Sequence, residues 1–272
     1  MNQTSKVTAL LTLLQDEDLK VASLAMEQFL KLGHVADETI AEYQESHDPR
    51  LRHRIHQLSS IMTRRRARME FVQALSQEKL SLWEGVQQIN TLYDPQCNCD
   101  QIENGINQIV SRFDEGTSTT PRIAALMRDL KYTMPEEDIL DVDLFLIERV
   151  LDSQYGSPAL LCVLAKQVAR ETGLTLTIVL HEGRFCLIDK DNLLLDPAEG
   201  WHISKLKATG KIHPCGRRDV LLGILSQLFL IALVEGQLRE LYHFGSLLTA
   251  LNGNDLDTLP YPLGGKAPGQ PI

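Results

Sequence analysis

The sequence predicts a mostly α-helical protein with a small antiparallel sheet, an α+β chain in which helical segments flank one helix–sheet unit. Three observations lead there. Apolar residues recur at three-to-four spacing through most of residues 1–150 and again through 217–251. The pattern changes once, at 174–196, to short runs rich in Thr, Ile, Val and Leu separated by turn residues. Immediately before that change stands "YGSPALLCVLAKQVARETGL", Tyr155 to Leu174, with its own start and stop signals.

The bulk numbers are those of ordinary globular material. The chain has 272 residues, 43% hydrophobic and 23% charged, and a formal net charge of −9. An acidic balance argues against broad nucleic-acid binding, which needs a basic face to displace counterions. The run "VLLGILSQLFLIALV", residues 220–234, is broken by Ser226 and Gln227 and is short for a membrane span. "MNQTSKVTALL" lacks the charged-then-apolar layout of a secretion signal. A soluble cytoplasmic protein is expected, with no membrane contact and no cofactor.

Residues 1–65 read as helices. In "LLQDEDLKVASLAMEQFLKLG", Leu10, Leu14, Val21, Leu24, Ala25 and Phe29 fall near helical spacing around an acidic turn. "DEDLK" from Asp16 is echoed by "DPRLR" from Asp48, which resembles a HEAT-type helical repeat. Such units are expected to need a neighbour to cover their apolar faces, here the next domain. Seven arginines lie between Arg50 and Arg68, including "TRRRAR". Most simply this is a solvated helix face and linker; its functional reading is a docking patch for an acidic protein partner. No aromatics interleave with the arginines, as an RNA-binding stretch would require.

From 70 to 150 the helical pattern continues. Phe71, Val72, Leu75, Leu80, Trp83, Val86, Ile89 and Leu92 keep the spacing until Pro95. "CDQIENGINQIVSRF" adds Ile102, Ile106, Ile109 and Phe113, and "TSTTPRIAALMRDLKY" offers Thr and Pro at another helix start. "DLFLIERVLDSQY" follows a capping aspartate. Cys97 and Cys99 in "CNC" resemble half a metal site, but no second pair follows at ligand spacing, so no metal is expected. With an odd count of five, the cysteines are read as reduced thiols.

In the helix–sheet unit, Ser157 can cap the helix, Pro158 suits its first turn and Gly173 can end it. "LTLTIVLH", "RFCLI" and "LLLD" read as three strands joined by "HEG" and "DKDN", an antiparallel meander. Helices resume at 217–251. The end, "DLDTLPYPLGGKAPGQPI", holds four of the eleven prolines and is expected to be a flexible tail. The expected organisation is 1–65 helical and HEAT-like, 66–205 the helix–sheet domain with its leading helices, 206–253 a C-terminal helical segment, and 254–272 the tail.

A helix begun after Gly-x, followed by antiparallel strands with Asp-Pro after the last, resembles the papain-like transglutaminase core. More closely, the chain resembles the bacterial transglutaminase-like family typified by the SirB regulator proteins. That family's order is "LxxVLxxRxGIPxSLSxLYxxVARxxGL", then "GHF", then "DPFNGG". Here stand "LIERVLDSQYGSPALLCVLAKQVARETGL", then "GRF" at 183–185, then "DPAEGW" at 196–201. "LYDP" and "ALMRDLKY" sit where the family has a similar upstream region, so the resemblance covers about residues 70–205.

The resemblance implies a Cys–His–Asp triad. The cysteine would sit on the first helical turn, where free amides and the helix dipole favour a thiolate. A strand histidine would shuttle the proton and an aspartate would orient it. The cysteine position falls on Pro158, which has no nucleophile; the related bacterial family also has proline there. The histidine position falls on Arg184, which stays protonated and cannot act as a base. Asp196 alone matches. Of the nearby substitutes, Cys162 lies one turn deeper, about 6 Å along the axis, where the amides are already used. His181 stands three residues before Arg184, and simple alternation points it to the opposite face from Arg184 and Cys186. From spacing, Arg184 and Asp196 are expected to pair.

Three functions follow. A non-catalytic transglutaminase-like protein would act as an interaction or regulatory scaffold. A cysteine peptidase or transamidase would rely on a relocated Cys162 with His181 and Asp196. A degenerate cleft lined by Arg184, Asp196 and Trp201 would bind a peptide or small ligand, arginine being suited to a carboxylate.

Overall fold

Short acidic turns start the first long helices. In the computed structural model, which describes residues 3–95, 97–113, 118–136, 140–206 and 211–252, the Asp18 carboxylate accepts from the Lys20 amide at 2.8 Å. Asp48 does the same for Arg50 at 2.9 Å. Such caps satisfy amides that a helix start leaves unpaired. The chain divides into two compact units, residues 1–70 and 71–272.

The first unit contains α1 (Gln3–Leu14), α2 (Leu19–Leu32), α3 (Asp37–Tyr43) and most of α4 (Pro49–Ser76). These helices bury a cluster of their own, with Leu14, Phe29, Leu51, Ile55 and Leu58 at its centre. The expectation that this segment needs the next domain to cover its apolar faces is therefore corrected: four helices close around one another. Several arginines serve that closure. Arg50 pairs with Glu17 at 2.7 Å, Arg66 pairs with Asp37 at 2.6 Å, and Arg54 donates to the Leu14 and Asp16 carbonyls.

The second unit is built on α9 (Pro158–Glu171), buried around nearly its whole circumference. Against it, or against its neighbours, pack α5 (Leu82–Tyr93), α6 (Cys99–Ser111), α7 (Thr120–Asp129), α8 (Ile147–Ser153) and α10 (Arg217–Val234). The stretch read as one helical run from Phe71 breaks at 77–81, because Ser81 and Glu84 form a capping box that starts α5 afresh. Close approach has a residue-level cause: a Cβ at Gly85 of α5 would sit 2.5 Å from a Leu221 methyl of α10. α11 (Leu238–Leu251) folds back on α10 after a turn at Gly236. The C-terminal helices share the main core through Val220, Leu221, Ile224, Phe244 and Leu247.

The sheet has five strands in the order β4-β3-β2-β1-β5. These are β1 (Thr177–His181), β2 (Arg184–Ile188), β3 (Leu193–Asp196), β4 (His202–Lys205) and β5 (Ile212–Pro214), all paired antiparallel. The three expected strands are present, and two short edge strands are added. Ile178, Leu187 and Leu195 point to the core that holds α9. Val179, Cys186, Ile188 and Leu194 form a separate cluster on the other face. Residues 254–272, read as a tail, lie outside the described residues.

Candidate functional site

The start of α9 is fixed from several sides. The Ser157 hydroxyl accepts from the Leu160 amide at 3.3 Å, and the Ser157 amide donates to the Leu144 carbonyl at 2.8 Å. Thr133 and Gly156 add backbone bonds on either side of Tyr155. Gly156 is required by contact, since a Cβ there would come within 3.0 Å of a Val150 methyl. Pro158 takes the first helical position, where a missing amide hydrogen costs nothing. The serine hydroxyl is thus committed to capping, and the residue after it carries no reactive atom.

Cys162, one turn on, is fully buried. It belongs to the core that includes Ile178, Leu187 and Leu195, on the α9 side of the sheet. Burial pushes its thiol well above the ordinary value, and the nearby Cys186, Asp196 and Cys215 push it the same way. No histidine or cation contributes to lower it. Thiolate chemistry needs the reverse surroundings.

The strand side is different. Arg184 opens β2, and its Nη2 lies 2.9 Å from Glu199 and 3.3 Å from Asp196. Asp196 is buried, with 8% of its side chain exposed, whereas Arg184 and Glu199 remain 40% and 50% exposed. One Asp196 oxygen faces Arg184. The other accepts from the Ala198 amide at 2.8 Å and starts the 3-10 turn Pro197–Glu199. That turn delivers Glu199 to the same guanidinium. Hydrogen bonding to Glu199, then the charge of Asp196, raises the Arg184 pKa further above its already high value. Cys186, on the same face, is pushed up to about 12 by burial and the adjacent Asp196.

His181 requires a correction. Glu182 and Gly183 both have positive φ, 49° and 79°, forming a two-residue hairpin turn. In the resulting register His181 lies directly opposite Arg184, so the two share a face. Counting parity straight through a turn fails, because the chain reverses there. His181 contacts the Lys211 carbonyl through Nδ1 at 3.3 Å, on the β5 side. Cys162 lies on the far side of the sheet from this face. Trp201 is 1% exposed, belongs to the core that holds α9, and donates its indole N–H to the Tyr132 carbonyl at 2.5 Å.

Spacing anticipated the Arg184–Asp196 pair but not Glu199. The signal lay inside the quoted "DPAEGW": an Asp-Pro turn start with an acid three residues after the aspartate. Among the described residues no group of His, Cys, Asp and Glu could hold a metal ion, and no helix is long and apolar enough to cross a membrane.

Residues 100–217 match the model of the transglutaminase-like superfamily. The match runs from α6 through the whole sheet to the first residue of α10, so a transglutaminase-like domain is present in the chain. No curated protein and no solved structure matches the chain.

Proposed function

We propose that this transglutaminase-like domain is non-catalytic and serves as a protein-interaction or regulatory scaffold, as in the SirB-like proteins that the sequence resembles. The observation that carries this reading is the clamp on Arg184. Where the triad would place a proton-accepting histidine stands a permanently charged guanidinium paired with two carboxylates. Pro158 at the nucleophile position supports the same reading, as does Cys162, which is dry and has no base beside it.

Partner binding falls to the exposed features. Arg64 and Arg65 on α4 are exposed and have no acidic partner among the described residues, unlike Arg50 and Arg66. They suit an acidic protein surface, presented by the HEAT-like N-terminal helices. The guanidinium of Arg184, held by the buried Asp196, supports a second reading, in which a peptide or small-ligand carboxylate replaces Glu199. A cytoplasmic location fits five free thiols.

The test is a pull-down from the native host with the full chain and with a chain lacking residues 1–65, alongside incubation of the purified protein with a peptide library. A partner recovered by the full chain and lost with the truncation supports the scaffold and places its surface in the first unit. Recovery of no partner by either chain, together with cleavage or modification of peptides, overturns it.

A further inference from the structure

A basic pocket lies apart from Arg184. Lys166 and Arg170, one turn apart on α9, meet Arg217 at the start of α10. With Ser81, Trp83 and Gln167 they line a cavity of about 240 Å3. In a chain of net charge −9 such a convergence of cations stands out.

The three cations are not equivalent. Arg170 has Glu171 at 3.3 Å, and Arg217 has Glu78 at 3.4 Å together with the Glu78 and Leu80 carbonyls at 3.0 and 3.1 Å. Gln167 donates to Glu171 at 3.0 Å. Glu84 is held by Ser81 in the capping box, which uses the Ser81 and Glu84 amides. Lys166 has neither a hydrogen bond nor an ion pair among the described residues, although it is only partly exposed. Burial alone lowers its pKa, and no neighbouring carboxylate contributes to raise it. A partly buried ammonium without a counter-charge is unfavourable unless an anion supplies one.

We propose that this pocket binds a compact phosphate-type oxyanion, free or as a small monoester, with Lys166 as its direct partner and Arg170 and Arg217 flanking it. Among the described residues Lys166 is the one cation of the three without a carboxylate beside it, and a tetrahedral oxyanion offers the flanking arginine N–H groups more acceptors than a monocarboxylate. Arginine offers a planar fork and lysine a mobile point charge, the pairing that phosphate sites use. The cavity is smaller than the roughly 300–1,000 Å3 of sites for larger organic ligands, which limits the occupant to little more than the anion.

Calorimetric titration of the full chain at constant ionic strength tests this, with inorganic phosphate, glycerol phosphate and acetate as probes. Phosphate should bind and acetate should not. Lys166→Met, which keeps the apolar stem, should weaken phosphate by about tenfold or more, and Arg170→Gln by a smaller factor. Arg170 is largely exposed, so the second variant gives the reading if the first fails to fold. Glycerol phosphate binding as tightly as phosphate identifies a monoester site; much weaker binding identifies the free ion. Acetate binding as tightly as phosphate, no phosphate binding, or folded variants that bind like the parent would overturn the proposal.

Discussion

The two ends of the candidate site differ in kind. At the helix end, Ser157, Pro158 and Cys162 sit in a capped, apolar helix start with a thiol driven away from ionisation. At the strand end, Arg184, Asp196 and Glu199 keep charge, and Arg184 and Glu199 keep contact with water. A buried, apolar helix start holds a thiol in its neutral form. A guanidinium between two carboxylates keeps its proton and the polarity that binding can use.

That contrast gives graded expectations. Leu160, fully buried on the first turn of α9, is structural in this account, so Leu160→Ala should lower unfolding free energy by about 2–5 kcal/mol in urea denaturation. A loss well under 1 kcal/mol, on the order of an exposed position, would mean that the helix end is loosely packed.

Alkali should separate the ends next. The Cys162 and Cys186 thiols are held above their ordinary value of 9.0, the latter at about 12. Below the unfolded-state value both states keep the proton and stability is intact. Above it only the unfolded chain releases protons, so stability falls as pH rises, by up to about 1.4 kcal/mol per pH unit for each thiol. Cys162→Ala should reduce that slope by about one proton's worth. An unchanged slope in pH-dependent denaturation would show that the thiol ionises in the folded protein.

The smallest effects distinguish capping from surface charge. Ser157→Ala should cost about 1 kcal/mol through the lost cap. Arg184→Gln should cost about 1 kcal/mol or less, because its guanidinium is 40% exposed and water screens both pairs. If Arg184→Gln proves the more damaging by thermal denaturation, the strand end is a buried structural pair and not an accessible one.

Much of this was legible in the sequence. Ser157, Pro158 and Gly173 mark α9 because capping chemistry is local, and β1 to β3 show through their Thr, Ile, Val and Leu content. "HISK" and "IHP" did not announce β4 and β5, which are short edge strands whose pairing supplies what their composition lacks. The shared face of His181 and Arg184 depended on a two-residue turn, "EG", whose geometry reverses the alternation argument. Lys166 and Arg217 are far apart in sequence, and only the packing of α9, α10 and the start of α5 brings them to one cavity.

The most direct measurement is the order of cysteine modification by iodoacetamide in the native protein near neutral pH, read by mass spectrometry. Cys99, the exposed thiol, should react first, and Cys162 and Cys186 should stay protected until the protein unfolds. Rapid and selective modification of Cys162 in the folded chain would contradict the account, because it would reveal an activated nucleophile where a core side chain is expected.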